Sequence, residues 1–69
     1  MSGATYKSIE LVGTSSESYA EATRAAIARA SESMRALRWF EVIEQRGHVE
    51  GGQVSEFQVR LRVWFTLER

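Results

Sequence analysis

The side chains with chemistry to offer in this 69-residue chain are few: Trp39, Trp64, Gln58, His48 and a set of arginines. An indole presents a broad π face and stacks on flat, electron-poor rings. A primary amide both donates and accepts, so Gln58 can read a ligand edge that carries N–H and C=O groups together. Those two functions suit a flat heteroaromatic ligand. The same tryptophans equally suit a subunit interface, whose core favours aromatic rings. Residue types and spacing leave both readings open.

Reaction chemistry finds less support. The chain has serines, glutamates and one histidine, but no Gly-x-Ser-x-Gly, phosphate loop or dinucleotide fingerprint. Gly13-Thr14-Ser15 lacks the further glycines of an anion-binding loop and reads as a strand end followed by a helix cap. His48 has no identifiable triad partner and reads as a surface strand residue. With no cysteine and a single histidine, disulfides, thiolate metal sites and a multi-histidine metal site within one chain are excluded. The expectation is a protein that is not an enzyme.

Arg60 and Arg62 near Trp64 have the look of a nucleic-acid stacking platform. Nine basic residues are balanced by nine acidic ones, however, so no net charge draws phosphates in. No apolar run approaches the roughly 18–20 residues of a membrane span. Met1-Ser2-Gly3-Ala4 has no signal-peptide character. The expected partners include neither nucleic acid nor membrane, and the expected location is cytoplasmic.

The elements that must position these residues are legible from periodicity. The expected organisation is one domain, residues 1–69. A domain of this size buries only about 60% of its unfolded surface, and without disulfides or metal its remedy is self-association. Thr5 to Gly13 reads as a strand with Lys7, Ile9 and Leu11 on one face and Ser8 and Glu10 on the other. A helix follows, with Thr14 and Glu17, or Ser18 and Glu21, at capping-box spacing. It is expected to run to about Leu37, burying Tyr19, Thr23, Ala26, Ile27, Ala30, Met34 and Leu37. Trp39 to about Glu50 and Gln53 to Leu67 read as strands joined by the two-residue turn Gly51-Gly52. In the last strand, Phe57, Val59, Leu61, Val63, Phe65 and Leu67 alternate with Glu56, Gln58, Arg60, Arg62, Trp64 and Thr66.

A two-residue turn fixes the register. It sets Phe40 against Val63 and Val42 against Leu61 on the apolar face. It sets Trp39 against Trp64, Glu41 against Arg62 and Gln45 against Gln58 on the polar face. Trp39 therefore turns outward and Phe40 inward, at a joint where helix pattern gives way to strand pattern. The outer face gathers two indoles, a charge pair and amides. A flavin is one flat heterocycle that matches such a face; the pattern does not single it out.

Five segments narrow the choice: Tyr6 to Ser15 (YKSIELVGTS), Ala28-Arg29-Ala30, Leu37-Arg38-Trp39-Phe40-Glu41-Val42, Arg46-Gly47-His48 and Phe57-Gln58-Val59. In their order and spacing they resemble the dodecins, small flavin-binding proteins of bacteria and archaea, the bacterial members most of all. The resemblance implies an α+β fold of order β-α-β-β, with a three-stranded antiparallel sheet wrapped around one helix. It implies a homododecamer, a hollow shell holding stacked flavin pairs at two-fold interfaces. The implied cofactor is a flavin (FMN, riboflavin or FAD), with FMN favoured, and the implied function is storage, sequestration and photoprotection.

Residue by residue, Trp39 matches the tryptophan that stacks on the isoalloxazine, and Gln58 the glutamine that bonds its polar edge. Arg46 matches an arginine near the ligand; its parity places it on the core side unless a bulge near Gly47 or a bend intervenes. His48 aligns with a position beside the flavin in archaeal members. Two residues depart from many bacterial dodecins: Trp64 replaces a glycine, and Thr66 replaces an arginine linked to the phosphates of FMN or coenzyme A. The alternatives are a non-enzymatic oligomeric module whose tryptophans only line interfaces, and a dodecin-like shell for another flat or phosphorylated ligand such as coenzyme A.

Overall fold

The computed structural model describes residues 3–67 of the chain. A strand β1 (Tyr6–Ser15) leads into a helix α1 (Tyr19–Ser31), and two long strands follow, β2 (Leu37–Glu50) and β3 (Gln53–Thr66). The sheet order is β1-β3-β2, and both pairings are antiparallel. The β-α-β-β order and the three-stranded antiparallel sheet are those expected from the sequence. No helix among the described residues is long and apolar enough to cross a membrane.

Gly51 and Gly52 both have positive φ, 61° and 76°, as a tight hairpin turn of the primed type demands. From that turn Glu50 faces Gln53. The anticipated pairs Trp39–Trp64, Phe40–Val63, Glu41–Arg62 and Val42–Leu61 all form. Between them the register shifts by one residue. Ser55 is extra on β3 near the turn, and Ile43 is extra on β2, so Arg46 rather than Gln45 stands opposite Gln58. This bulge corrects the uniform register read from the sequence, and it moves Arg46 onto the outer face. A bulge re-aims every side chain between it and the next one, which strict alternation cannot anticipate.

Ser18 caps α1: its hydroxyl accepts from the backbone N–H of Glu21 at 3.0 Å. The Ser15 hydroxyl accepts from the N–H of Glu17 at 2.9 Å, turning the chain out of β1. Thr14 stays within the strand, so the second of the two candidate caps is the one used. The helix ends at Ser31, about a turn and a half before Leu37. Met34 donates to the Ala30 carbonyl in the last turn, and Ala36 adopts φ 62°, a left-handed conformation uncommon for residues other than glycine. Neither feature has a glycine or proline to announce it.

The core is narrow. Ala22 and Ala26 of α1 lie buried over Val59, Leu61 and Val63 of β3, with Ile9, Leu11, Tyr19, Ile27 and Leu37 around them, and Ala30 is buried further along the helix. Alanines bring the helix close enough that a Cβ at Gly13 would collide with the Ala22 carbonyl and approach the Ala26 Cβ to 2.8 Å. That contact requires glycine on β1. The helix packs across β1 and β3, and the inner side of β2 lies beyond it. Phe40 points to the helix side as expected, yet remains 49% exposed beside Ile27, Thr23 and Ala20. One chain does not cover its own apolar face.

Candidate functional site

The outer face of the sheet carries three groups of side chains in succession. At one end β2 begins just after the left-handed Ala36, with Arg38 as an extra residue at the start of its pairing. Here the Trp39 and Trp64 rings lie nearly parallel, at 19° and with centroids 5.8 Å apart, in an offset stack. The Tyr6 ring leans on Trp39 from β1, at 4.8 Å and 59°. Trp39 nevertheless keeps 48% of its surface exposed. Trp64 is tucked beneath, and its Nε1–H is buried with no acceptor. An unpaired buried donor costs about 1–3 kcal/mol, which burial of the large ring and its stacking contacts must offset. Beside this cluster, Arg38 Nε donates to Thr66 Oγ1 at 2.9 Å.

The opposite end is polar. Arg46 Nε donates to Gln58 Oε1 at 2.7 Å, and Gln58 Nε2 donates to Glu56 Oε1 at 2.8 Å. That chain fixes the glutamine's orientation, with its donor and acceptor ends distinguished. Arg46 also lies 3.7 Å from Glu44. His48 stands opposite Glu56 on the same end of the hairpin and is exposed. Among the described residues, no group of three or more His, Cys, Asp or Glu side chains is placed to hold a metal ion.

Between the two ends the charges neutralise each other. Arg60 on β3 bonds Glu10 on β1 at 3.0 Å and Glu44 on β2 at 3.1 Å, clamping all three strands. The hydrogen bonds to Glu10 and then Glu44 hold the Arg60 guanidinium above its ordinary value. Arg62 lies 3.8 Å from Glu41. Both arginines that suggested a nucleic-acid platform are thus engaged with carboxylates.

The structure brings Arg46, Gln58 and His48 to one end of the face and sets Trp39 at the other. Trp64, the cross-strand partner of Trp39, is six positions from Gln58 along β3. At about 3.3 Å per residue that is roughly 20 Å, farther than one fused tricyclic ring system reaches. Within a single chain the aromatic group and the polar group are therefore two separate clusters. Sequence reasoning missed Tyr6 and Glu56. Both were within its means. Tyr6 shares the parity of Ser8 and Glu10, and Glu56 lies two positions from Gln58 on the same strand face.

Comparison with known proteins follows the same lines. A family model described as Dodecin matches residues 5–68. A curated Dodecin from Thermus thermophilus is 52% identical over 66 residues, which cover 96% of each chain. The structure of the dodecin from Streptomyces coelicolor superposes with a TM-score of 0.95 at 48% identity, covering 100% of this chain and 99% of its own. A crystal structure of a Thermus thermophilus protein gives a TM-score of 0.92 at 51% identity, over 97% and 98% of the two chains.

Proposed function

The chain belongs to the dodecin family, and from that premise we propose that it binds flavin without turning it over, storing and shielding it in the cytoplasm within a homododecameric shell. The observation that carries this reading is Trp39, an indole half-exposed on the sheet surface yet already braced by two other rings. A flat ring stacked on it displaces water from a surface whose orientation is set beforehand, which lowers the ordering cost of binding.

A bound flavin supplies a flat, light-absorbing ring system with one apolar benzenoid end and one edge of N–H and C=O groups. The residues present fit both features. Trp39 takes the face, and Gln58 offers a donor and an acceptor to the edge. Arg46 orients the amide through its bond to Gln58 Oε1 and adds positive charge close by. His48 lies on the same end and lines the rim. Because Trp39 and Gln58 stand about 20 Å apart on one sheet, we assign them to the same ligand only across a subunit boundary. With a flavin stacked on it, the electron-rich Trp39 indole would supply electron-transfer quenching of the excited ring, which would limit photochemistry. The exposed Phe40, Val42, Val49 and Val54 support self-association.

Thr66 lacks the charge that an arginine would bring, but Arg38 delivers a guanidinium to the Thr66 hydroxyl. This supports FMN over riboflavin, and it favours one second reading, another flat phosphorylated ligand such as coenzyme A. The test is direct. The protein purified from cells is examined for yellow colour and quenched flavin fluorescence, then stripped and titrated with FMN, riboflavin and coenzyme A. FMN binding with strong quenching is expected. Absence of flavin binding alongside tight coenzyme A binding would establish the second reading instead.

A further inference from the structure

Trp39 is held by two neighbours, and they do different things. Tyr6 meets its ring at a steep tilt of 59°. Trp64 lies directly opposite on the next strand and nearly parallel, at 19°. A near-parallel neighbour lies against a face of a ring; a steeply tilted one makes a smaller, edge-on contact with it. Trp39 still exposes 48% of its surface. A stacked partner on one side and 48% exposure together fit an indole with one broad face covered and the other available. Trp64 gives up a hydrogen bond in this arrangement, since its buried Nε1–H has no acceptor. A side chain left in that condition is set by ring packing and not by polar contacts. Its other cross-strand neighbour, Ser8, is too small to compete for the place.

We propose that Trp64 is a positioning residue for the ligand face of Trp39: it backs one side of the indole, fixes its plane before any ligand arrives, and limits each Trp39 to a single stacked ring. The inference rests on the reading of Trp39 as a stacking surface, and it adds a specificity. A rigid, one-faced indole favours extended planar ligands over small or bent ones, because a planar ring gains contact over the whole open face. A Trp39 without backing turns about its χ angles and loses that preorganisation.

The experiment uses the full chain in its assembled form, with Trp64→Leu and Trp64→Phe variants. In ligand-free protein, two near-parallel indoles at this separation give an excitonic couplet in circular dichroism. It is expected in the wild type and absent in both variants. Titration with FMN, followed by flavin fluorescence, is expected to show affinity reduced about tenfold in Trp64→Leu, the scale of one aromatic pair. Trp64→Phe, which restores a flat backing ring, is expected within about threefold of wild type. Equal or tighter FMN binding in Trp64→Leu would overturn the proposal, marking Trp64 as a bystander or an obstruction. If Trp64→Leu fails to assemble, Trp64→Phe carries the test, and a loss in it as complete as that of Trp39→Ala would overturn the proposal. Should the wild type bind no flavin, the flavin reading falls by itself. The couplet then decides the positioning role: its loss on Trp64→Leu supports that role, and a couplet or near-ultraviolet tryptophan signal unchanged by Trp64→Leu ends it.

Discussion

The two ends of the outer sheet face are built on opposite plans. At the aromatic end, Tyr6, Trp39 and Trp64 come from three strands and hold each other by ring contact, with one buried donor left unpaired. At the polar end, Arg46, Gln58 and Glu56 form a hydrogen-bonded chain in which the glutamine uses both of its functions. The first end offers mainly a ring surface, with the Arg38–Thr66 pair at its side. The second has directional partners but no stacking surface. The Arg60 clamp keeps them apart in each chain. On the proposed flavin reading, the difference teaches that a stacking surface and an orienting amide lie at separate ends of the face, and that a ligand using both takes them from different chains.

Removing the stacking surface is the strongest way to break this division. Trp39→Ala is expected to abolish flavin binding while the oligomer persists, as read by fluorescence titration and sedimentation. Retained affinity with an intact oligomer would show that the aromatic end is not the ligand wall. The polar end can be disturbed from within the backbone. A Cβ at Gly47 would stand 2.8 Å from the Glu56 carbonyl oxygen, so Gly47→Ala should cost about 1–3 kcal/mol of stability through overpacking. It should weaken FMN binding while leaving the indole couplet unchanged. A lost couplet would mean that the two ends are not independent.

Smaller changes sharpen the comparison. Gln58→Ala should weaken binding by about 1–3 kcal/mol, because it leaves ligand groups without their partner. An unchanged dissociation constant would remove Gln58 from the site. Arg46→Ala acts one step further out, through the orientation of Gln58, and should cost about 0.5–1.5 kcal/mol of binding. A loss equal to that of Trp39→Ala would instead mean that Arg46 touches the ligand as a main anchor.

Much of this was legible in the sequence, and the failures have physical causes. Six alternating apolar residues from Phe57 to Leu67 announce β3, and Gly51-Gly52 announces the turn, because both depend on local geometry alone. The outward direction of Trp39 followed from that register and stands. The position of Arg46 did not follow, since the extra residues at Ile43 and Ser55 carry no distinctive side chain. The helix end was overrun because Met34 and Leu37 continue its apolar spacing. Ala36 takes a left-handed conformation there, and its carbonyl accepts from the Thr66 N–H at 3.2 Å, a long-range contact that no local pattern announces. Phe40 was expected in the core; the structure puts it on the core side, at the margin of the helix, where it stays 49% exposed. Sequence parity shows which face a residue takes, and not whether the chain itself can cover that face.

The central claim is that one ligand takes its stacking surface and its polar partner from different chains. It is tested by co-assembling Trp39→Ala subunits with Gln58→Ala subunits and titrating the mixed oligomer with FMN. Each variant alone is expected to bind weakly or not at all. If the two groups come from different chains, some sites in the mixture regain both, and a fraction of tight, quenched binding returns. If every site in the mixture stays defective, Trp39 and Gln58 do not meet across a subunit boundary, and the central claim is contradicted.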